Sequence, residues 1–165
     1  MALNNPKRTP SNAANPQTEL DKTNPESLKN TRQALIYDPA VDQVDQLLAG
    51  LDAGVEPLSA GQGAASKALL QTLLKQPNLN TLHLVGHGAP GQIRFGKTTW
   101  DANDFNVNSD VIAQRQEPLS IHFWSCRTGL GKQGTTFLQT VSEKSMSNVF
   151  ASTGLVGHSN KGGNW

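Results

Sequence analysis

From residue 34 onward, short apolar runs alternate with stretches whose apolar residues recur at helical spacing. The run Ala34-Leu35-Ile36-Tyr37 stops at Asp38-Pro39 and predicts a strand followed by a turn. Val41, Val44, Leu47, Leu48 and Leu51 then repeat with the period of a helix. A weaker strand signal covers residues 54–59, and a helix with Ala68, Leu69, Leu73 and Leu74 on one side is expected over 64–75, with Pro77 as its stop. The next strand is expected at 82–85, a loop at 88–91, and a hairpin over 92–100 turning at Gly96-Lys97. Asp101 is placed to cap a short helix over 104–114. A strand at 119–124, a helix at 131–144 carrying Phe137, Leu138 and Val141, and a last strand at 149–151 complete the pattern.

Such alternation predicts an α/β protein: a three-layer α/β/α sandwich built on a mainly parallel sheet. Residues 1–33 do not join it. They carry Pro6, Pro10, Pro16 and Pro25, many Asn, Ser and Thr, and almost no large apolar residue. A segment of that kind buries too little surface to offset the entropy of ordering it. It reads as a disordered leader or linker, and residues 34–165 as the folded domain. No internal repeat is evident.

Composition narrows the class. The chain of 165 residues has a net charge of +1, so no electrostatic footprint for nucleic acid or an anionic membrane surface is present. No run approaches the ~18 apolar residues of a membrane span. No apolar segment of a conventional secretory signal stands at the N-terminus. One cysteine excludes an internal disulfide and leaves the redox compartment undecided.

Two strands end on chemistry. Leu82-His83-Leu84-Val85 stops at Gly86-His87-Gly88, and Ile121-His122-Phe123-Trp124 stops at Ser125-Cys126. In parallel sheets ligands bind outside the carboxyl ends of strands, so an imidazole and a thiol are delivered to one edge. A thiolate beside an imidazole is minimum equipment for nucleophilic attack on a carbonyl. Each residue has a plainer reading. A free cysteine often serves as a small buried apolar group, and a histidine near a strand end is often a satisfied structural residue. The glycines flanking His87 serve either a tight turn or the close approach of a substrate. Backbone N–H groups after Cys126 could favour a thiolate and an oxyanion.

His83 and His87 invite a metal reading, but four residues of strand span about 13 Å. No third ligand stands nearby in sequence, so no metal or other cofactor is expected, and His83 and His122 read as core or supporting groups. His158 and Asn164 in the glycine-rich tail either close over a site or stay solvated. No Gly-x-Ser-x-Gly elbow occurs. Gly86 to Gly91 has the bare spacing of a dinucleotide fingerprint and Gly91 to Thr98 that of a phosphate loop. The first contains Pro90 with no helical pattern after it and the second falls in the expected hairpin, so neither stands in the strand–loop–helix context that cradles a phosphate. A preference for acidic substrates would call on Arg94, Arg127 or Lys161, and one for basic substrates on Asp38, Asp101 or Asp104.

The paired strand endings resemble the caspase–gingipain group of cysteine peptidases. Within it, the whole stretch from Ala34 to Trp165 resembles the bacterial domain of unknown function DUF4347. Leu35-Ile36-Tyr37-Asp38-Pro39 is similar to that family's opening strand and turn, and Leu84 to Gly91 to its Ser-His-Gly-Ser-Pro-Gly loop. Phe95-Gly96-Lys97-Thr98-Thr99 resembles its hairpin; Ala151-Ser152-Thr153-Gly154-Leu155 and Gly162-Gly163-Asn164-Trp165 resemble its closing segments. Ser125-Cys126-Arg127 departs from the usual Gly-Cys-Asn, and Gly86 stands where serine is usual.

The resemblance implies a caspase–hemoglobinase fold and a Cys-His dyad. Cys126 would be the nucleophile, His87 the general acid/base, and the Gly88 and Cys126 N–H groups the oxyanion hole. Ser125, Arg127 and Arg94 are the candidate substrate contacts. The substrate would be a peptide or protein, including a longer chain of which this domain is part. Related domains sit in very large exported bacterial proteins, which implies an extracellular or cell-surface setting. Two competing expectations stand beside it: a non-catalytic scaffold or binding module, and a metal-dependent hydrolase using His83 and His87.

Overall fold

A computed structural model describes residues 32–163. The expected leader therefore lies outside the described residues save for its last two, and Gln33 already belongs to the first strand. In chain order the elements are β1 (Gln33–Tyr37), α1 (Val44–Ala49), β2 (Val55–Ser59), α2 (Ala64–Leu74), β3 (Thr81–Val85), β4 (His87–Ala89), β5 (Gln92–Phe95), β6 (Thr98–Trp100), α3 (Ser109–Gln114), β7 (Leu119–Trp124), α4 (Gly131–Ser145) and β8 (Ser147–Ala151). Short 3-10 turns cover Ala102–Phe105 and Ser159–Lys161.

Five strands form a parallel sheet in the order β2-β1-β3-β7-β8. The chain enters in the interior at β1, steps outward to β2, then returns past β1 to β3. The connections leaving β1 and β3 therefore diverge, which opens a crevice at their carboxyl ends. Asp38 follows β1, Gly86 and His87 follow β3, and Ser125 and Cys126 follow β7.

Side-chain alternation sorts the sheet into two unlike faces. Ala34, Ile36, Leu82, Leu84, Ile121 and Phe123 point into one continuous core with Leu70, Leu73 and Leu74 of α2 and Phe137 and Val141 of α4. Aromatic rings extend this core: Phe95 on Trp100 at 4.2 Å between centroids, and Phe105 edge-on to Phe123 at 5.4 Å. The buried Trp100 indole N–H finds an acceptor in Ser66 Oγ at 3.1 Å, as a buried polar group requires.

The opposite face carries Leu35, His83, Val85 and Trp124, covered by α1 through Leu47 and neighbouring residues. Helix α1 is only six residues long, against the longer stretch its periodicity suggests. The turn closing on Asp38, where Val41 N–H donates to the Asp38 carbonyl, and a left-handed Gln43 delay its start. Coverage is accordingly partial, and Phe150 of β8 is 52 % exposed beside His122.

Two local expectations are corrected. Of the loop expected over 88–91 only 90–91 is a turn, made by left-handed Gly91; Gly88 and Ala89 join His87 in β4, and β4, β5 and β6 make a separate antiparallel ribbon with His87 opposite Arg94. Asp101 caps only the 3-10 turn, in a reciprocal box with Asp104. Burial of Phe105 and Val107 pulls the chain inward there. Asn108 then caps α3 as a separate helix.

Candidate active site

The cavity above the strand ends has a volume of about 490 Å³, and both His87 and Cys126 line it. Their approach is set by the backbone between them. A Cβ on Gly88 would lie 2.2 Å from the Cys126 carbonyl oxygen and 2.8 Å from its nitrogen. One on Gly86 would lie 2.8 Å from the Arg94 carbonyl oxygen. Only glycine lets β4 lie this close to the thiol-bearing loop.

The loop after β7 is held from both sides. Ser125 Oγ and Thr128 Oγ1 share a buried hydrogen bond of 2.6 Å, and Thr128 Oγ1 donates to the Gln92 carbonyl at 3.2 Å. Gly91 N–H donates to the Thr128 carbonyl at 3.0 Å, tying in the ribbon. On the other side Arg127 N–H donates to the Gly154 carbonyl at 2.7 Å, and Gly129 N–H to the Ser152 carbonyl at 2.9 Å. Arg127 adopts a left-handed φ of 59° that reverses the chain right after the cysteine.

The segment that follows β8 reaches the thiol itself. Val156 N–H donates to Cys126 Sγ at 3.4 Å, and the thiol donates to the Val156 carbonyl at 3.7 Å. The cysteine is half-buried and free. Main-chain amide of this protein thus lies against the sulfur.

His87 is open to the cavity, its side chain 48 % exposed, while that of Asp38 behind it is only 5 % exposed. The Asp38 carboxylate is 4.0 Å from His87 Nε2. It is aimed by two backbone donors, Ala40 N–H at 2.9 Å and Gly96 N–H at 2.6 Å. Nε2 is thus the ring atom turned to Asp38, beyond direct hydrogen-bonding reach.

The other histidines form a ring row on the partly covered face. His83 and His122 are register partners on β3 and β7, with centroids 5.2 Å apart. His122 stacks on Phe150 at 4.7 Å. Trp124 Nε1–H donates to His83 Nδ1 at 3.1 Å, so the neutral His83 keeps its proton on Nε2. Burial, then the neighbouring His122, push His83 below its ordinary pKa; burial does the same to His122. Among the described residues no three His, Cys, Asp or Glu side chains converge as a metal site.

Of the residues expected to touch substrate, Ser125 lines the cavity but its hydroxyl is spent on Thr128. Arg94 and Arg127 are exposed and stand outside the lining. Lys161 lies on the rim, bonded to Asp42 at 2.5 Å, and that contact holds the Asp42 carboxyl below its ordinary pKa. His158 also lines the cavity, with Nδ1 accepting from Asn160 N–H. Asp101 and Asp104 are remote, spent on the turn cap and on Lys67. Asn164 lies outside the described residues.

A family model of a domain of unknown function, DUF4347, matches residues 34–165. The chain belongs to the DUF4347 family. The match begins in β1 and runs through the closing segment, so every cavity residue named above is part of the DUF4347 domain. No curated protein and no solved structure matches the chain.

Two features of this DUF4347 domain escaped the sequence. Asp38 was one of three acids open as a specificity group, not a partner for His87. Its place after the interior strand of a sheet that reverses direction was the available signal. The Val156 contact carried no signal, because a main-chain donor has no residue type.

Proposed function

We propose that the domain is a cysteine endopeptidase of the caspase–hemoglobinase type. The observation that carries this reading is the convergence of His87 and Cys126 on one cavity, with Gly88 laid against the Cys126 backbone. Cys126 Sγ attacks the carbonyl carbon of a peptide bond as its proton passes to His87. The oxyanion is met by the Gly88 and Cys126 N–H groups. His87 then protonates the departing amine as the C–N bond breaks, leaving a thioester. Water, giving its proton to His87, hydrolyses that thioester and restores the thiol. Asp38 turns the ring and compensates the charge that develops on it.

Val156 against the sulfur supports a chain that meets its own main chain at the centre. Self-processing of a longer exported protein is the natural use of such an arrangement. The same contact favours a second reading, a non-catalytic binding module whose thiol is permanently covered. Expression with a following segment separates them. Under the peptidase reading cleavage is seen in the wild type and is absent in Cys126→Ala and His87→Ala. Identical processing in all three chains would end it.

A further inference from the structure

We propose that the cavity beside Cys126 is a specificity pocket for an uncharged apolar side chain, carried by the residue whose carbonyl Cys126 attacks. The proposal rests on the peptidase reading and adds its substrate class.

The walls come from Leu47, Val85, Trp124, Leu155 and Val156, contributed by α1, the ends of β3 and β7, and the closing segment. Two charges of opposite sign stand on the lining, Asp42 and Lys161, and they are bonded to each other. Of the two histidines, His87 serves the reaction and His158 is exposed, with one ring nitrogen accepting from Asn160. The cations that would greet an acidic side chain, Arg94 and Arg127, are not on the lining, and neither is the buried Asp38 that would greet a basic one. A charged side chain entering this space would leave water for apolar walls without a free partner, which is costly. A leucine or phenylalanine side chain would lose water where it meets Leu47, Val85, Trp124 and Val156, which is favourable.

Position assigns the side of the bond. The attacked carbon carries its own Cα directly, so that residue's side chain starts at the thiol, where the cavity opens. The leaving residue begins beyond the nitrogen, toward the half-exposed His87.

The test uses peptides identical except at the acyl residue, which is Leu, Phe, Ala, Asp or Arg. They are cleaved by the full wild-type chain, and their uncleaved binding to Cys126→Ala is measured by calorimetry. Each apolar carbon that fits such a pocket is worth about 10-fold or more in discrimination. Leu and Phe are therefore expected to exceed Ala by at least ~100-fold in kcat/KM and to exceed Asp and Arg by at least as much. The same order is expected in the dissociation constants of Cys126→Ala. Preferred cleavage after Asp or Arg, or binding indifferent to that residue, would overturn the pocket and leave the peptidase reading standing. Leu-selective binding with no cleavage of any peptide by the wild type would remove the peptidase reading and retain an apolar-side-chain site.

Discussion

The Asp38 carboxylate, buried at the end of β1, stands 4.0 Å from Nε2 of His87 at the start of β4. That gap exceeds direct hydrogen-bonding reach but is well inside the range at which a carboxylate attracts an imidazolium. Both Asp38 oxygens are aimed by backbone donors, so the carboxylate is fixed before any charge appears on the ring. This places a third group beside His87 of the candidate dyad, and Asp38, His87 and Cys126 each follow a different strand of the parallel sheet.

Replacing Asp38 separates its two duties. Asp38→Ala leaves the Ala40 and Gly96 N–H groups without their acceptor, and about 1–3 kcal/mol of stability is expected to go with it. Asp38→Asn retains one acceptor oxygen and removes the charge. It is expected to unfold at a denaturant midpoint nearer the wild type, yet to lower kcat with KM little changed. A pH-rate profile of Asp38→Asn that overlays the wild type would show that the carboxylate only braces the loop.

Gly88 has no room for a side chain. Gly88→Ala puts a carbon within 2.2 Å of the Cys126 carbonyl oxygen, so β4 and the cysteine loop must separate. Overpacking of this kind costs about 1–3 kcal/mol or more, and the thiol and imidazole move apart with it. Gly54→Ala, where a Cβ meets nothing within 4 Å, is the matched control and is expected to be nearly neutral. Chemical denaturation of both variants, with labelling of Cys126 by a peptidyl electrophile, reads the two effects together.

The ring row makes stability depend on pH below neutrality. His83 and His122 hold folded-state pKa values below the ordinary 6.5, chiefly through burial. The unfolded chain therefore binds more protons than the folded one once pH falls below about 6.5. The stabilising effect of the two neutral rings is fully present above that value. It is lost as pH falls from 6.5 through the lowered folded values. Protonating His83 also removes the Nδ1 acceptor used by Trp124. The double variant His83→Phe, His122→Phe is expected to flatten the fall in Tm between pH 6.5 and 4. An unchanged slope would place the acid sensitivity in other groups.

How much of this was legible in the chain depends on how local the signal is. Strand β7 shows a clean two-residue alternation from Leu119 to Trp124, and its burial follows that pattern residue by residue. The glycines around His87 were open between a tight turn and the close approach of a substrate; in the fold Gly88 serves a close approach of another kind, β4 against the Cys126 backbone. The β4 strand was hidden because three residues containing glycine have no strand signature of their own. It exists because β5 offers a partner. The bond from Gly96 N–H to Asp38 spans 58 positions in the sequence. Nothing in the local pattern of either segment encodes it. The unequal sheet faces were foreshadowed by His83 and His122 interrupting otherwise apolar strands. Their neighbours Trp124 and Phe150 became visible only when the register was known.

His87 and Cys126 are expected to work as one centre. Intact-mass kinetics with a peptidyl electrophile carrying an apolar residue tests it most directly, comparing the wild type with His87→Ala, with iodoacetamide as a control for simple access to the thiol. A single adduct on Cys126 is expected in the wild type and at least ~100-fold slower reaction of the peptidyl electrophile in His87→Ala, while iodoacetamide still labels both. Equal rates for the peptidyl electrophile in the two proteins would contradict it.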